Sequence, residues 1–182
     1  MWPRRVPARA TRSDLVTIHL RVLTPADQPK WRALRLEALE RNPAAFLTTA
    51  EEQRNRPASE DRAQLALGNW RGLFLNEDVL IGLAALIPFR HLAAAHRIEM
   101  GAVYVAEGHQ GSGAGQAMMD ALLKEAQTRG ALQIELSVAA NNARALRFYE
   151  RNGFKRFGVQ PRAILVEGVG QDDVFMVRML DG

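Results

Sequence analysis

The sequence predicts a mixed α/β (α+β) sheet in one domain of 182 residues. Three observations predict it. Short apolar runs alternate with polar residues in the first half of the chain. One such run, ending at Val105, passes through a glycine cluster straight into an amphipathic helical pattern. The second half then continues in strand, helix, strand, helix, strand order. Hydrophobic content of 47% and charged content of 24% fit an ordinary globular protein of a length that can bury a substantial core.

Taken in order, Ile18, Leu20 and Val22 alternate with polar residues and read as a first strand. Thr24 to Asp27 starts a helix, with Thr24 as N-cap and Pro25 at the first helical position. Trp31, Leu34 and Ala38 share one face of that helix, which should stop before Pro43. A polar stretch from Glu51 to Arg62 leads into a second short helix near Leu65. Trp70–Leu75 and Val79–Ile87 read as a hairpin turning at Asn76–Asp78, and Arg97–Val105 as the next strand.

Met118, Ala121, Leu122 and Ala126 line one face of the helix after the glycines, with Gly130 as its C-terminal cap. Gln133–Val138 is a strand, Asn142–Asn152 a helix ended by Gly153, and Phe154–Val159 and Val174–Met179 are two last strands separated by a Gly-containing loop. Residues 17–182 are expected to form the domain, and residues 1–16 a flexible basic tail.

The net charge of +4 equals the four arginines, Arg4, Arg5, Arg9 and Arg12, that precede the first acid, so the body of the chain is neutral. A neutral body argues against nucleic acid as a partner. With no cysteine, disulfides, thiolate metal sites and a cysteine nucleophile are excluded. No apolar run approaches the roughly 20 residues of a membrane span, and without an apolar core of about 7 or more residues near the start no secretory signal is expected. A cytoplasmic, membrane-free protein without a metal is expected.

The glycine loop decides more. A P-loop requires Lys and Ser/Thr after its second glycine, where this chain has Ala114 and Gly115. The dinucleotide fingerprint, tried from Gly111 or Gly113, meets Gln116 or Met118 where its third glycine belongs. What remains is Gln110-x-x-Gly113-x-Gly115 feeding a helix. Glycines at 111, 113 and 115 leave successive amides free to face an anion, and the helix N-terminus adds its partial positive charge.

A second segment, Val138 to Phe154, places Asn142, Ala145, Phe148, Tyr149, Glu150, Gly153 and Phe154 on a strand–helix unit after the glycine helix. The two segments together resemble the GNAT superfamily of N-acetyltransferases. The close match covers residues 97–157, and element order extends it over most of the chain. The resemblance implies a single-domain GNAT fold, a mixed, mostly antiparallel central sheet flanked by helices, with acetyl-CoA as cosubstrate. Carried over, the motif assigns cofactor contacts to Gln110, Gly111, Ser112, Gly113, Ala114 and Gly115, and to Asn142 and Tyr149. Main-chain groups of Val103, Tyr104 and Val105 would pair with the pantetheine arm, on a strand that splays from its neighbour.

Acyl transfer from a thioester to an amine needs an unprotonated amine, a stabilised oxyanion and a protonated leaving thiolate. Tyr149 is the implied general acid, since a phenol of pKa ~10 is close to a thiol. Glu99 resembles the glutamate that some GNAT enzymes use as general base, and strand alternation puts it on the face of Gly101, Val103 and Val105. Glu135 and Ser137 on the neighbouring strand are rivals, and ordered water is a third route.

The expected partner is an amine acceptor, and a homodimer is compatible with the resemblance. Acceptor selection falls to the first two helices and to the segments around Pro88–Arg97 and Val159–Asp173. Their mixed charge suits a polycationic aminoglycoside, an amino-acid-like molecule or a peptide amine alike. A non-catalytic acyl-CoA sensor would keep the glycine motif without needing Tyr149.

Overall fold

The computed structural model describes residues 17–181, so the expected basic tail lies outside the described residues. Seven strands form one sheet: β1 (Ile18–Val22), β2 (Trp70–Leu75), β3 (Val79–Pro88), β4 (Arg97–Val105), β5 (Gln133–Ala139), β6 (Lys155–Val166) and β7 (Val169–Met179). Their spatial order is β1-β2-β3-β4-β5-β7-β6. Every neighbouring pair is antiparallel except β4 and β5. This is the mixed, mostly antiparallel sheet expected.

Helices cover both faces. On one face α4 (Ala114–Thr128) and α5 (Ala143–Arg151) contribute Met118, Met119, Leu122, Ala126 and Leu146 to a core built on Ile98, Met100 and Ile134. On the other, α1 (Gln28–Arg41) and α3 (Ala58–Ala66) bring Trp31, Leu34, Ala38 and Leu65 against Trp70, Phe74, Leu83 and Tyr104.

Local chemistry sets the helix ends. The Thr24 amide and hydroxyl both donate to Asp27 Oδ2, at 2.8 and 3.0 Å, ahead of α1. Pro25 opens the 3₁₀ turn Pro25–Asp27 that leads into it, and α1 ends at Arg41, before Pro43.

The polar stretch 51–62 departs from expectation, because it is itself helical: α2 (Ala50–Asn55), then Pro57, then α3. A capping box explains α2, with the Thr49 amide donating to Glu52 Oε2 at 2.7 Å and the Glu52 amide to Thr49 Oγ1 at 3.1 Å. Polarity misled here because α2 and α3 bury few apolar residues and are tied down by buried Asp61 instead. That carboxylate accepts from Gln28 (3.0 Å), Gln53 (2.9 Å) and Arg32.

The last two strands are longer than the sequence suggests. The expected loop is mostly strand, and the turn is only Glu167–Gly168, with φ of 51° and 79°. Two positive φ angles are what a tight hairpin turn requires. Pro161 is tolerated because β6 is an edge strand with an irregularity between Gln160 and Ile164. Among the described residues, no helix is long and apolar enough to cross a membrane.

Candidate active site

The sheet opens at its one parallel pair. β4 and β5 stay in register only at Arg97–Gln133, Ile98–Ile134 and Glu99–Glu135. Beyond Glu99 they separate, and β4 continues along β3 alone as far as Val105. Parity of the backbone identifies what faces the gap. The Ala106 amide donates to Ile81 O at 2.8 Å, so even-numbered residues at this end of β4 turn their main chain toward β3. The main-chain groups of Val103 and Val105 therefore turn into the opening. In keeping with that, the Val105 carbonyl accepts from Gln110 Nε2 at 3.0 Å.

A bulge sets this geometry. Between Gly101 and Tyr104 two residues of β4 oppose a single residue of β3, and Ala102 takes a φ of 53°. Positive φ is strained for alanine, and such strain concentrates where the chain must be re-aimed. The bulge also corrects the alternation expected for Glu99. Ile98, Met100, Val103 and Val105 belong to the α4 face, whereas Ala102 and Tyr104 belong to the α1 face. Glu99 thus lies on the face opposite Val103 and Val105, exposed to solvent.

The glycine loop follows a 3₁₀ turn, Glu107–His109, and delivers the chain into α4 through Gly113 in the left-handed region, φ 91°. Gly111 is left-handed too, at φ 78°. A Cβ added at Gly111, Gly113 or Gly115 would meet no protein atom within 4 Å, so all three open onto free space. Among the described residues, the backbone amides of Gly111, Ser112, Gly113, Gly115 and Gln116 donate to no protein acceptor. These are the orphan donors of a helix start, collected around one point.

Val103, Val105, Gln110, Gly111, Gly113, Gly115, Asn142 and Tyr149 border one cleft of about 460 Å³. The α1–α2 connection, with Asn42, Ala45 and Phe46, forms one wall and α5 the other. Tyr104 borders it as well, but its hydroxyl is turned to α1, where it donates to Glu37 Oε1 at 2.8 Å. Ser112 and Ala114 are not among the bordering residues. Ser112 closes the loop, donating from Oγ to His109 O at 2.7 Å, and Ala114, the first residue of α4, is fully buried.

Asn142 caps α5, accepting from the Ala145 amide at 3.0 Å. Tyr149 packs edge-on against Phe148 and Phe154, each ring centroid 5.6 Å away. Its hydroxyl makes no hydrogen bond to the described residues, and burial pushes its pKa well above the usual phenol range. The end of α5 is held to the start of α4 by Gln116 Nε2, which donates to Asn152 Oδ1 at 2.7 Å.

Glu99 does not border the cleft, and its rivals fare no better as free bases. Glu135 is gripped by Arg97, with Nη2 to Oε2 at 2.7 Å, which lowers its pKa. Ser137 is exposed on β5. Among the described residues, no Asp, Glu or His borders the cleft, whereas Arg144 and Arg151 do. Sequence reasoning missed those two arginines on the cleft rim. Their spacing on the polar side of α5 looks like an ordinary solvated helix face. Among the described residues, no cluster of His, Cys, Asp or Glu could hold a metal ion.

A sheet parted between two parallel strands, with unpaired main chain on one lip and free helix-start amides at its end, defines a protein that holds an extended ligand bearing an anion. Residues 25–154 match the acetyltransferase (GNAT) family, and the chain belongs to it. An uncharacterized N-acetyltransferase of Mycobacterium tuberculosis is 37% identical over 83 residues, 46% of this chain and 52% of that protein. The chain spans about half the length of the curated relatives it matches. In fold it is similar to yncA from Salmonella typhimurium, solved with its cofactor acetyl-CoA (TM-score 0.77, 22% identity, 91% of this chain and 95% of that one). It is similar also to the ribosomal-protein-alanine N-acetyltransferase of Brucella melitensis (TM-score 0.69, 27% identity, 89% and 99% covered). A spermidine N-acetyltransferase chimera from Vibrio cholerae and hSSAT shares the fold (TM-score 0.72, 22% identity, 90% and 95% covered).

Proposed function

We propose that this protein transfers an acetyl group from acetyl-CoA to a primary amine, by direct attack while both are bound. One observation carries the reading: the free amides of the glycine loop, the open edge of β4 and the unpaired Tyr149 hydroxyl meet in a single cleft. The residues suit the cosubstrate. Glycines without protein neighbours at their Cβ positions leave room for a pyrophosphate, and the amides of residues 111, 113, 115 and 116 can donate to it. Arg144 and Arg151 add positive charge on the same rim. Acetyl-CoA supplies the thioester and hence a leaving thiol.

The chain's own groups do the rest. The main-chain amides of Val103 and Val105 face the opening, where an amide can polarise an acyl carbonyl. Tyr149 keeps its proton because burial disfavours the phenolate. A thiolate formed against the same cleft walls is disfavoured for the same reason, so acid and leaving group rise together. With no carboxylate or imidazole on the lining among the described residues, the amine loses its proton to water rather than to a side chain.

The test is CoA release followed with a thiol reagent across a panel of amines, which the absence of cysteine leaves free of protein background. A saturable, acceptor-dependent release supports the reading. An acetyl-CoA thermal shift without turnover on any amine would favour an acyl-CoA sensor instead, and no shift at all would remove the donor assignment.

A further inference from the structure

Among the described residues, Arg35 is a buried guanidinium without a hydrogen-bond or ion-pair partner. It is 7% exposed, on the sheet-facing side of α1. Among the described residues it has no hydrogen bond and no carboxylate within ion-pair distance, and its Nη1 is a buried donor with no acceptor. The chain satisfies its other inward-turned arginines. Arg71, 2% exposed, is forked onto Glu125 and donates to Gly68 O at 2.7 Å. Arg32 pairs with Asp61 and donates to the carbonyls of Gln53, Arg54 and Arg56.

Arg35 has aromatic rings instead, its guanidinium carbon 4.7 Å from the centroid of Phe46 and 5.4 Å from that of Trp70. Desolvation and the nearby charge of Arg56 lower its pKa to about 10, so it stays cationic at neutral pH. Aromatic faces offset only part of the cost of burying a charge without an anion.

Phe46 connects this cation to the cleft, since the same residue that stacks on Arg35 also borders the opening. Trp70, the second ring, is in register with Ala85, and Ala85 with Gly101, just ahead of the bulge in β4. Arg35 itself does not border the cleft; it lies behind Phe46, on the face of the sheet that α1 covers. Among the described residues, the lining carries no acid that would attract a polycation.

We propose that Arg35 receives the anionic end of the acceptor, so that the acceptor is an amine also bearing a carboxylate. The inference rests on the acetyltransferase reading and narrows its acceptor class. Displacement of the half-buried Phe46 ring would let the carboxylate reach the guanidinium, replacing a stacking contact with charge-assisted hydrogen bonds.

The test uses amines in pairs that differ by one carboxylate, ornithine against putrescine and tyrosine against tyramine. It is run on the parent, Arg35→Met and Arg35→Lys. Turnover is measured with acetyl-CoA, and binding by calorimetry with CoA present, so that the second readout survives if no turnover is found. The parent should favour the carboxylated member of at least one pair by about 10-fold or more, mainly through KM or Kd. Arg35→Met should erase that preference, Arg35→Lys should keep part of it, and both should retain the acetyl-CoA thermal shift. Arg35→Met should also melt at or above the parent, since it removes an unpaired buried charge. A parent without preference, a preference untouched in Arg35→Met, or a lower melting temperature for Arg35→Met would overturn the proposal. Loss of acetyl-CoA binding by the parent would overturn the underlying reading instead.

Discussion

The Gln110 side-chain amide donates to the main-chain carbonyl of Val105 at 3.0 Å, reaching from the glycine loop back to the open edge of β4. Its own carbonyl accepts from Arg144 Nη1 at 3.2 Å. One side chain thus links the lip of the splayed strand, the glycine loop and α5. Both bonds are exposed, so they stabilise the fold little, and their value lies in where they hold the loop. Gln110→Ala is expected to weaken acetyl-CoA binding about 10-fold while changing the stability of the free protein by less than about 1 kcal/mol. Calorimetric titration with acetyl-CoA beside a urea melt checks both halves.

Two glycines should separate backbone strain from ligand contact. Gly115 lies in the first turn of α4 with no positive φ, and a Cβ there meets nothing. Gly115→Ala should therefore stabilise the free protein, by up to about 1 kcal/mol from helix propensity. The same methyl would crowd the pyrophosphate and weaken acetyl-CoA binding. Gly113→Ala, at φ 91°, should lose both stability and binding. Melting curves with and without acetyl-CoA distinguish the pair, and a Gly115→Ala variant that binds like the parent would move the anion elsewhere.

Glu99 should prove dispensable. It is exposed, lies below the point where the strands part and faces away from Val103 and Val105. Glu99→Gln is expected to keep turnover within about threefold of the parent, well short of the 10²-fold or more that a general base contributes. The pH profile of kcat/KM should follow the pKa of the acceptor amine and show no carboxylate limb. A 100-fold loss in Glu99→Gln would restore it as the base.

How much of this was legible in the sequence follows from what kind of signal each feature leaves. β4 was readable to its ends, and so were the helix after Gly113 and the cap at Asn142, because alternation, glycine and N-cap chemistry are local. The bulge at Ala102 was not, since alanine gives no hint of a positive φ and the shift arises from how β3 and β4 register. That one residue reversed the facing of Glu99. The fourteen residues 160–173, read as a loop, failed in the other direction, since they belong mostly to β6 and β7. Gly and Pro signalled a turn, but an edge strand tolerates both, and only Glu167–Gly168 turns. Arg35 could not be singled out from sequence either. Its position in α1 is apolar by spacing, yet its lack of a partner exists only once Phe46 and Trp70 close over it.

Tyr149 offers the sharpest test of the chemistry. Its ring packs against Phe148 and Phe154, and its hydroxyl has no acceptor among the described residues. Tyr149→Phe therefore keeps the packing and strands no buried partner, so the fold should tolerate it. If the hydroxyl protonates the leaving thiolate, turnover should fall by roughly 10²–10⁴-fold with little change in acetyl-CoA affinity. The raised phenol pKa adds an independent signature in stability. A group whose pKa is higher folded than unfolded contributes stability that is fully present below the ordinary phenol range and is lost as pH rises above it. The parent should thus lose stability above about pH 10, and Tyr149→Phe should lose less, with Tyr104, also raised, supplying the remaining slope. Alkaline urea melts of both proteins measure the difference. A variant that turns over like the parent, with chemistry shown to be rate-limiting, would make Tyr149 a packing residue. The proton for the leaving group would then have to come from water.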